Sequence, residues 1–197
     1  MRPLFSLHAG EYLVGSYIER TYPGVAVWVP AKDLGVDLLV TDHDARHSLR
    51  LQVKWSKDYL ATFMGPKFQP TLRACGWWKF DRMKVRTSPA DYWILVLQGL
   101  HAEPDFMVIR PTELLRRLES IHGTGSTIQS YIWVDKKLAC WETRGLGTAD
   151  RNAIADGEFR HPTRDLSQYL NDWTPIERLV GRTRVRRHVP KRAKPSS

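Results

Sequence analysis

Gly35-Val36-Asp37-Leu38-Leu39-Val40 and Ser48-Leu49-Arg50-Leu51-Gln52-Val53-Lys54-Trp55 are the two halves of the stretch that decides the fold. Both are short runs of aliphatic and β-branched residues, the pattern of strands. Between them lies Thr41-Asp42-His43-Asp44-Ala45-Arg46-His47, polar enough for a hairpin loop. Successive side chains of a strand face opposite sides. Leu49, Leu51 and Val53 therefore point one way, and Arg50, Gln52 and Lys54 the other. Asp37 points opposite to Val36 and Leu38. If the two halves pair as a hairpin, Asp37, Gln52 and Lys54 meet on one face.

A carboxylate and an amide oxygen are hard ligands suited to Mg²⁺. A lysine two residues beyond the amide can orient a water or stabilise charge on a phosphate. Asp37 followed by Gln52-Val53-Lys54 resembles the PD-(D/E)xK nuclease superfamily, in the Gln-x-Lys variant of Mrr-type restriction endonucleases and resolvase-like nucleases. The resemblance covers the first half of the chain and continues more loosely to Arg144. Two departures are visible: Gln52 stands where the second strand usually carries an acid, and Val36 rather than proline precedes Asp37. The three-residue motif also fits an ordinary half-exposed hairpin.

The resemblance implies an α/β fold, a mixed central sheet flanked by helices with a restriction endonuclease-like core. It implies metal-dependent hydrolysis of phosphodiester bonds, with DNA favoured as the polymer. Asp37, Gln52, Lys54 and Glu11 are the implied catalytic residues. Asp37, Gln52, Glu11 and the Val53 carbonyl would hold Mg²⁺, with Mn²⁺ able to substitute. A homodimer is compatible with double-strand cleavage. The alternative is a module of the same fold that binds nucleic acid or a protein without turnover.

Glu11 belongs to a predicted first helix, capped by Ser6, starting at Leu7 and running to Arg20. Leu7, Gly10, Glu11, Val14 and Ile18 fall on one helical stripe. That places a carboxylate on the apolar side, which is costly without a cation or hydrogen bonds to meet it. A glutamate on the first helix often joins the site of the resembled nucleases, and Glu11 fits that position. Reaching solvent from the edge of the stripe is the plainer explanation.

At 197 residues and 22.8 kDa the chain fits one domain over 1–177, followed by a basic, flexible tail over 178–197. Eight of the 30 Lys and Arg lie from Arg178 onward with no acid among them, leaving 22 basic against 21 acidic residues elsewhere. The net charge of +9 is thus mostly a property of the tail. A basic tail strengthens salt-dependent binding to phosphate backbones, or simply keeps the protein in solution. No apolar run reaches the length of a membrane span and no signal pattern opens the chain, so a cytoplasmic location is expected. Cys75 and Cys140 lack metal-site spacing and read as buried thiols.

The stretch from Lys57 to Pro89 reads as irregular. Within it Arg73 to Arg86 mixes five basic residues with Trp77, Trp78 and Phe80. Aromatics can stack on bases while cations meet phosphates; the same rings can equally pack into the core. Arg73, Lys79, Arg82, Lys84 and Arg86, with Arg184, Arg186 and Arg187 of the tail, are the candidate nucleic-acid contacts. Val25–Val29, 91–97, 106–109 and a hairpin over 130–142 read as strands, with 91–97 buried on both faces. Pro111 opens a helix, 144–159 reads as loop, and 165–173 as a short helix. The loop pair His43 and His47 has spacing that would suit a metal on a helix; in a tight hairpin it is a polar turn. No Gly-x-Ser-x-Gly, phosphate-binding loop or dinucleotide fingerprint occurs, which weakens readings as other enzyme types.

Overall fold

The structure, a computed structural model, describes residues 8–32, 34–56, 68, 70–99 and 103–186, the side chains as far as 181. Helix α1 (Ala9–Thr21) starts two residues later than expected, with His8 as its N-cap; Ser6 lies outside the described residues. Its stripe Gly10, Glu11, Val14 and Ile18 is buried, as the period requires. Strands β1 (Val25–Trp28), β2 (Leu38–Asp42) and β3 (Ser48–Trp55) form an antiparallel meander. Asp42 shapes the tight turn after β2, accepting the backbone N–H groups of Arg46 and His47 and bonding the His47 ring. The polar-turn reading of this loop therefore has a visible cause.

Next come β4 (Leu72–Asp81), the short α2 (Arg82–Arg86), β5 (Tyr92–Leu97), β6 (Asp105–Ile109) and α3 (Pro111–His122). The chain ends with β7 (Thr127–Asp135), β8 (Cys140–Glu142), α4 (Thr148–Asp156), a 3₁₀ turn at Ser167–Tyr169 and α5 (Thr174–Arg186). Five strands build a mixed sheet in the order β1-β2-β3-β5-β6, in which β3 and β5 run parallel. The segment joining β3 to β5 carries β4 and α2, so the parallel step is made by a long crossover. Strands β4, β7 and β8 form a second, antiparallel sheet.

The molecule is a mixed α/β fold. One face of the five-stranded sheet packs Leu38, Val40, Leu51 and Val53 against Val14 and Ile18 of α1 and Ile176 and Leu179 of α5. The other packs Trp93, Leu95 and Leu97 against α3 and the inner side of the second sheet, including Trp78, Phe80 and Ile132. Strand β5 divides the two cores: Ile94 and Val96 enter the first, Trp93, Leu95 and Leu97 the second. The near-continuous apolar run is thus buried on both faces, each such side chain contributing roughly 1.5–3 kcal/mol.

Three expectations are corrected. Residues 72–81, read as irregular, form a ten-residue strand. Its alternation is clear once β7 is beside it: Trp78 and Phe80 are buried while Trp77, Lys79 and Asp81 are exposed. Residues 148–156, read as loop, are α4, which buries only Ile154 and stops at Gly157 in the left-handed region. The boundary placed at 178 falls inside α5, because Leu179 on the next turn is buried in the first core. Residues 187–197, with Arg187, lie outside the described residues. No helix among the described residues is long and apolar enough to cross a membrane.

Candidate active site

The pairing of β2 with β3 stops at Leu38 opposite Leu51, whereas β3 runs on to Trp55 beside β5. Residues 52–55 therefore have β5 on one side and no β2 partner on the other. A cleft of about 670 Å³ opens at this edge. Asp37, Gln52, Val53, Lys54 and Glu11 all line it. Four side chains from the end of a loop, a strand and a helix are brought together as the sequence pattern predicted.

Two glycines permit this. At Gly10 a Cβ would lie 2.8 Å from the Trp55 Cβ, so only glycine lets α1 lie this close to β3. That approach carries the next residue, Glu11, to the cleft. Gly35 has φ of +82°, a conformation costly for other residues, and a Cβ there would meet Pro89 at 3.1 Å. The loop turns at Gly35 to deliver Asp37.

Asp37 is anchored to β3. Its backbone N–H donates to the Leu51 carbonyl at 2.8 Å, and its Oδ2 accepts from the Val53 N–H at 2.7 Å and from Gln52 Nε2. Oδ1 has no hydrogen-bond donor among the described residues. Gln52 is buried, and its amide nitrogen, not its oxygen, faces Asp37. A cation beside Asp37 would require that amide to turn.

Glu11 is 8% exposed and accepts the His8 backbone N–H at 3.1 Å. Burial pushes its pKa up, the His8 bond opposes this, and the charge of Asp37 pushes it further up. Lys54 pulls it back by a smaller amount. Lys54 has no carboxylate within ion-pair distance among the described residues; its ammonium lies 5.7 Å from the centre of the Trp93 ring. Two carboxylates therefore share a cleft whose nearby ammonium is bonded to neither. No three His, Cys, Asp or Glu side chains gather as a metal site among the described residues. The donor set here is different: two carboxylates, an amide and the Val53 main chain. Burial first, and the Asp37 charge after it, raise Glu11; a hard cation would relieve the repulsion between the two carboxylates, and this donor set is one that could hold Mg²⁺.

The far bank is α2. Asp81 caps it by accepting the Lys84 N–H at 2.9 Å. Arg82 and Arg86 both bond Glu119 of α3, which pins the helix. Lys84 lines the cleft and Lys79 is exposed on β4. Arg73 is held at 2.6 Å by Asp105, itself 2% exposed. The basic cluster thus divides: Arg73, Arg82 and Arg86 are tied to carboxylates, and Lys84 reaches the cleft. Arg184 and Arg186 lie on the last turns of α5.

Sequence reasoning missed His8, Leu34, Thr87, Ser88, Pro89 and Trp93 of the lining. Trp93 stands in register beside Gln52 on the parallel neighbour, a pairing that only the folded sheet reveals. The others come from turns whose path depends on packing. Comparison with known proteins finds no matching family model, no matching curated protein and no matching solved structure.

Proposed function

We propose that this protein is a metal-dependent nuclease that hydrolyses phosphodiester bonds, with DNA as the polymer that the Asp…Gln-x-Lys resemblance implies. The observation that carries this reading is the shared cleft: Glu11, Asp37, Gln52 and Lys54 line one opening at the unpaired edge of β3. Asp37, Glu11, the Gln52 amide oxygen and the Val53 carbonyl would hold Mg²⁺. When bound, the ion would polarise the phosphoryl oxygen and acidify a water. With both carboxylates ionised, Glu11 and Asp37 balance Lys54 and Lys84 in the lining. A divalent cation would make the cleft positive and attractive to phosphate.

Lys54 is free of a carboxylate clamp among the described residues, so its ammonium can donate to an attacking water or a phosphate oxygen. Trp93 beneath it restricts where the ammonium sits. Lys84 on the opposite bank would meet a neighbouring phosphate.

The test is cleavage of plasmid and linear DNA in Mg²⁺ or Mn²⁺, comparing wild type with Lys54→Ala and Asp37→Asn. Metal-dependent nicking that falls by about 10²–10³-fold or more in each variant is the expected result. The hydrogen bond from Gln52 to Asp37 favours a second reading, a binding module that has lost turnover, since the amide already satisfies the carboxylate. DNA binding without cleavage in any divalent metal would establish that reading and remove the enzyme.

A further inference from the structure

Seven arginines of the described residues are committed to carboxylates. Arg50 is bonded to Asp91, Arg73 to Asp105, Arg82 and Arg86 to Glu119, Arg116 and Arg117 to Glu113, and Arg164 to Glu142. Arg110 and Arg178 are among the others: neither has a carboxylate within ion-pair distance among the described residues. Arg110 lies 5.5 Å from the centre of the Tyr92 ring, with Nε donating to the Tyr92 hydroxyl at 3.3 Å, so its terminal nitrogens have no partner among those residues. Arg178 is exposed on α5.

The two line the same groove, a depression of about 480 Å³. It shares Ser88 with the cleft that holds Lys54 and Lys84. Asp91 is the single carboxylate of its lining, and Arg50 neutralises it through two guanidinium contacts at 2.9 and 3.2 Å while the Arg50 N–H adds a third at 2.8 Å. The charge of Arg110 also acts on Asp91 from beyond ion-pair distance, so the groove presents two guanidiniums that no carboxylate bonds among the described residues, beside Ser48 and Thr112. Beyond it α5 continues to Arg186.

We propose that this groove is the path of the nucleic-acid backbone beyond the cleft, with Arg110 and Arg178 each holding a phosphate. The proposal rests on the nuclease reading, since it takes the cleft as the point from which the strand runs. Two cations that no carboxylate bonds among the described residues, beside a site for a polyanion, are matched by successive phosphates, and Arg suits them because its planar fork can bond two oxygens. The wall at Ser88 puts the scissile position and these contacts on one continuous track. Arg110 and Arg178 are positioning residues; they do not touch the reacting atoms.

The experiment measures binding of a fluorescein-labelled 30-nucleotide DNA, single-stranded and duplex, in metal-free buffer across a series of salt concentrations. Wild type is compared with Arg110→Gln/Arg178→Gln and with Arg178→Glu alone, a surface change that leaves the Tyr92 contact in place. Losing two phosphate contacts should lower the slope of log affinity against log salt by about 1.4 for a single strand or 1.8 for a duplex. The Glu variant should lower it by at least half as much, and unchanged melting midpoints would exclude misfolding as the cause. Wild-type binding with an unchanged slope in both variants overturns the groove and leaves the nuclease reading intact. A wild type that neither binds nor cuts removes both.

Discussion

The cleft and the seam beneath α3 handle ionised groups in opposite ways. In the seam Glu113 takes hydrogen bonds from Arg116, Arg117 and the Tyr169 hydroxyl at 2.7–2.8 Å. Arg117 then donates to the carbonyls of Pro162, Thr163 and Asp165, tying the segment before the 3₁₀ turn to the helix. Glu142, fully buried, meets Arg164 at 2.7 Å and His122 at 3.1 Å. In the cleft Glu11 is almost as buried, yet it has one backbone N–H and no cation bonded to it among the described residues. The seam is built for stability: each buried charge is matched. The cleft leaves charge unmatched, at a cost in stability, where a ligand can complete it.

Arg164→Ala is the largest break. It strands the Glu142 carboxylate in the interior, so unfolding in urea should require about 3–5 kcal/mol less. Cleavage per folded molecule should be unaltered. A loss under 1 kcal/mol would mean the seam does not carry the stability assigned to it.

A pH titration gives a smaller effect. Hydrogen bonding from Arg116, with Arg117 and Tyr169 adding to it against the opposing effect of burial, pulls the Glu113 pKa down to about 2. A lowered carboxylate contributes stability that is fully present above its unfolded pKa of about 4.5 and is lost as pH falls toward 2. After solvent screening the loss should be on the order of 1–2 kcal/mol. Glu113→Gln should flatten that part of the acid stability profile, and a profile identical to wild type would refute the assignment.

Glu11 should show the reverse sign. Its folded pKa is raised, first by burial. Its favourable contribution is complete below about 4.5, the ordinary value, and is lost as pH rises through the folded pKa. At neutral pH Glu11→Gln should therefore stabilise the protein slightly, by roughly 0.5–1 kcal/mol, while DNA cleavage falls. The amide keeps an acceptor for the His8 N–H. Added Mg²⁺ should raise the melting midpoint of wild type and do so less for the variant. A Glu11→Gln protein that is less stable and responds to Mg²⁺ as wild type does would make Glu11 a helix cap and nothing more.

The two regions also differ in how far they could be read in advance. Asp37, Gln52 and Lys54 were legible because they lie just past the open end of a hairpin, where alternation assigns faces and a short turn sets the pairing. Glu11 was legible because a 3.6-residue period put an acid among apolar positions. The seam was not. Glu142 and Arg164 lie 22 residues apart, and nothing local marks them as partners. Strand β4 was missed for the same reason, since its alternation acquires meaning only from β7, fifty residues on. The basic run in 73–86 looked uniform in sequence, yet pairing with Asp105 and Glu119 separates its arginines from Lys84.

The sequence by itself determined the α/β class, the hairpin with its three polar residues, the doubly buried β5 and the inward Glu11. Each follows from periodicity, which is a local property of the backbone. Only the tertiary structure decided which cations stay free. It decided too that β2 ends before β3, opening the edge where the cleft lies. Those outcomes depend on the partners that distant segments supply when they pack, and an ion pair or a strand edge exists only once both sides are in place.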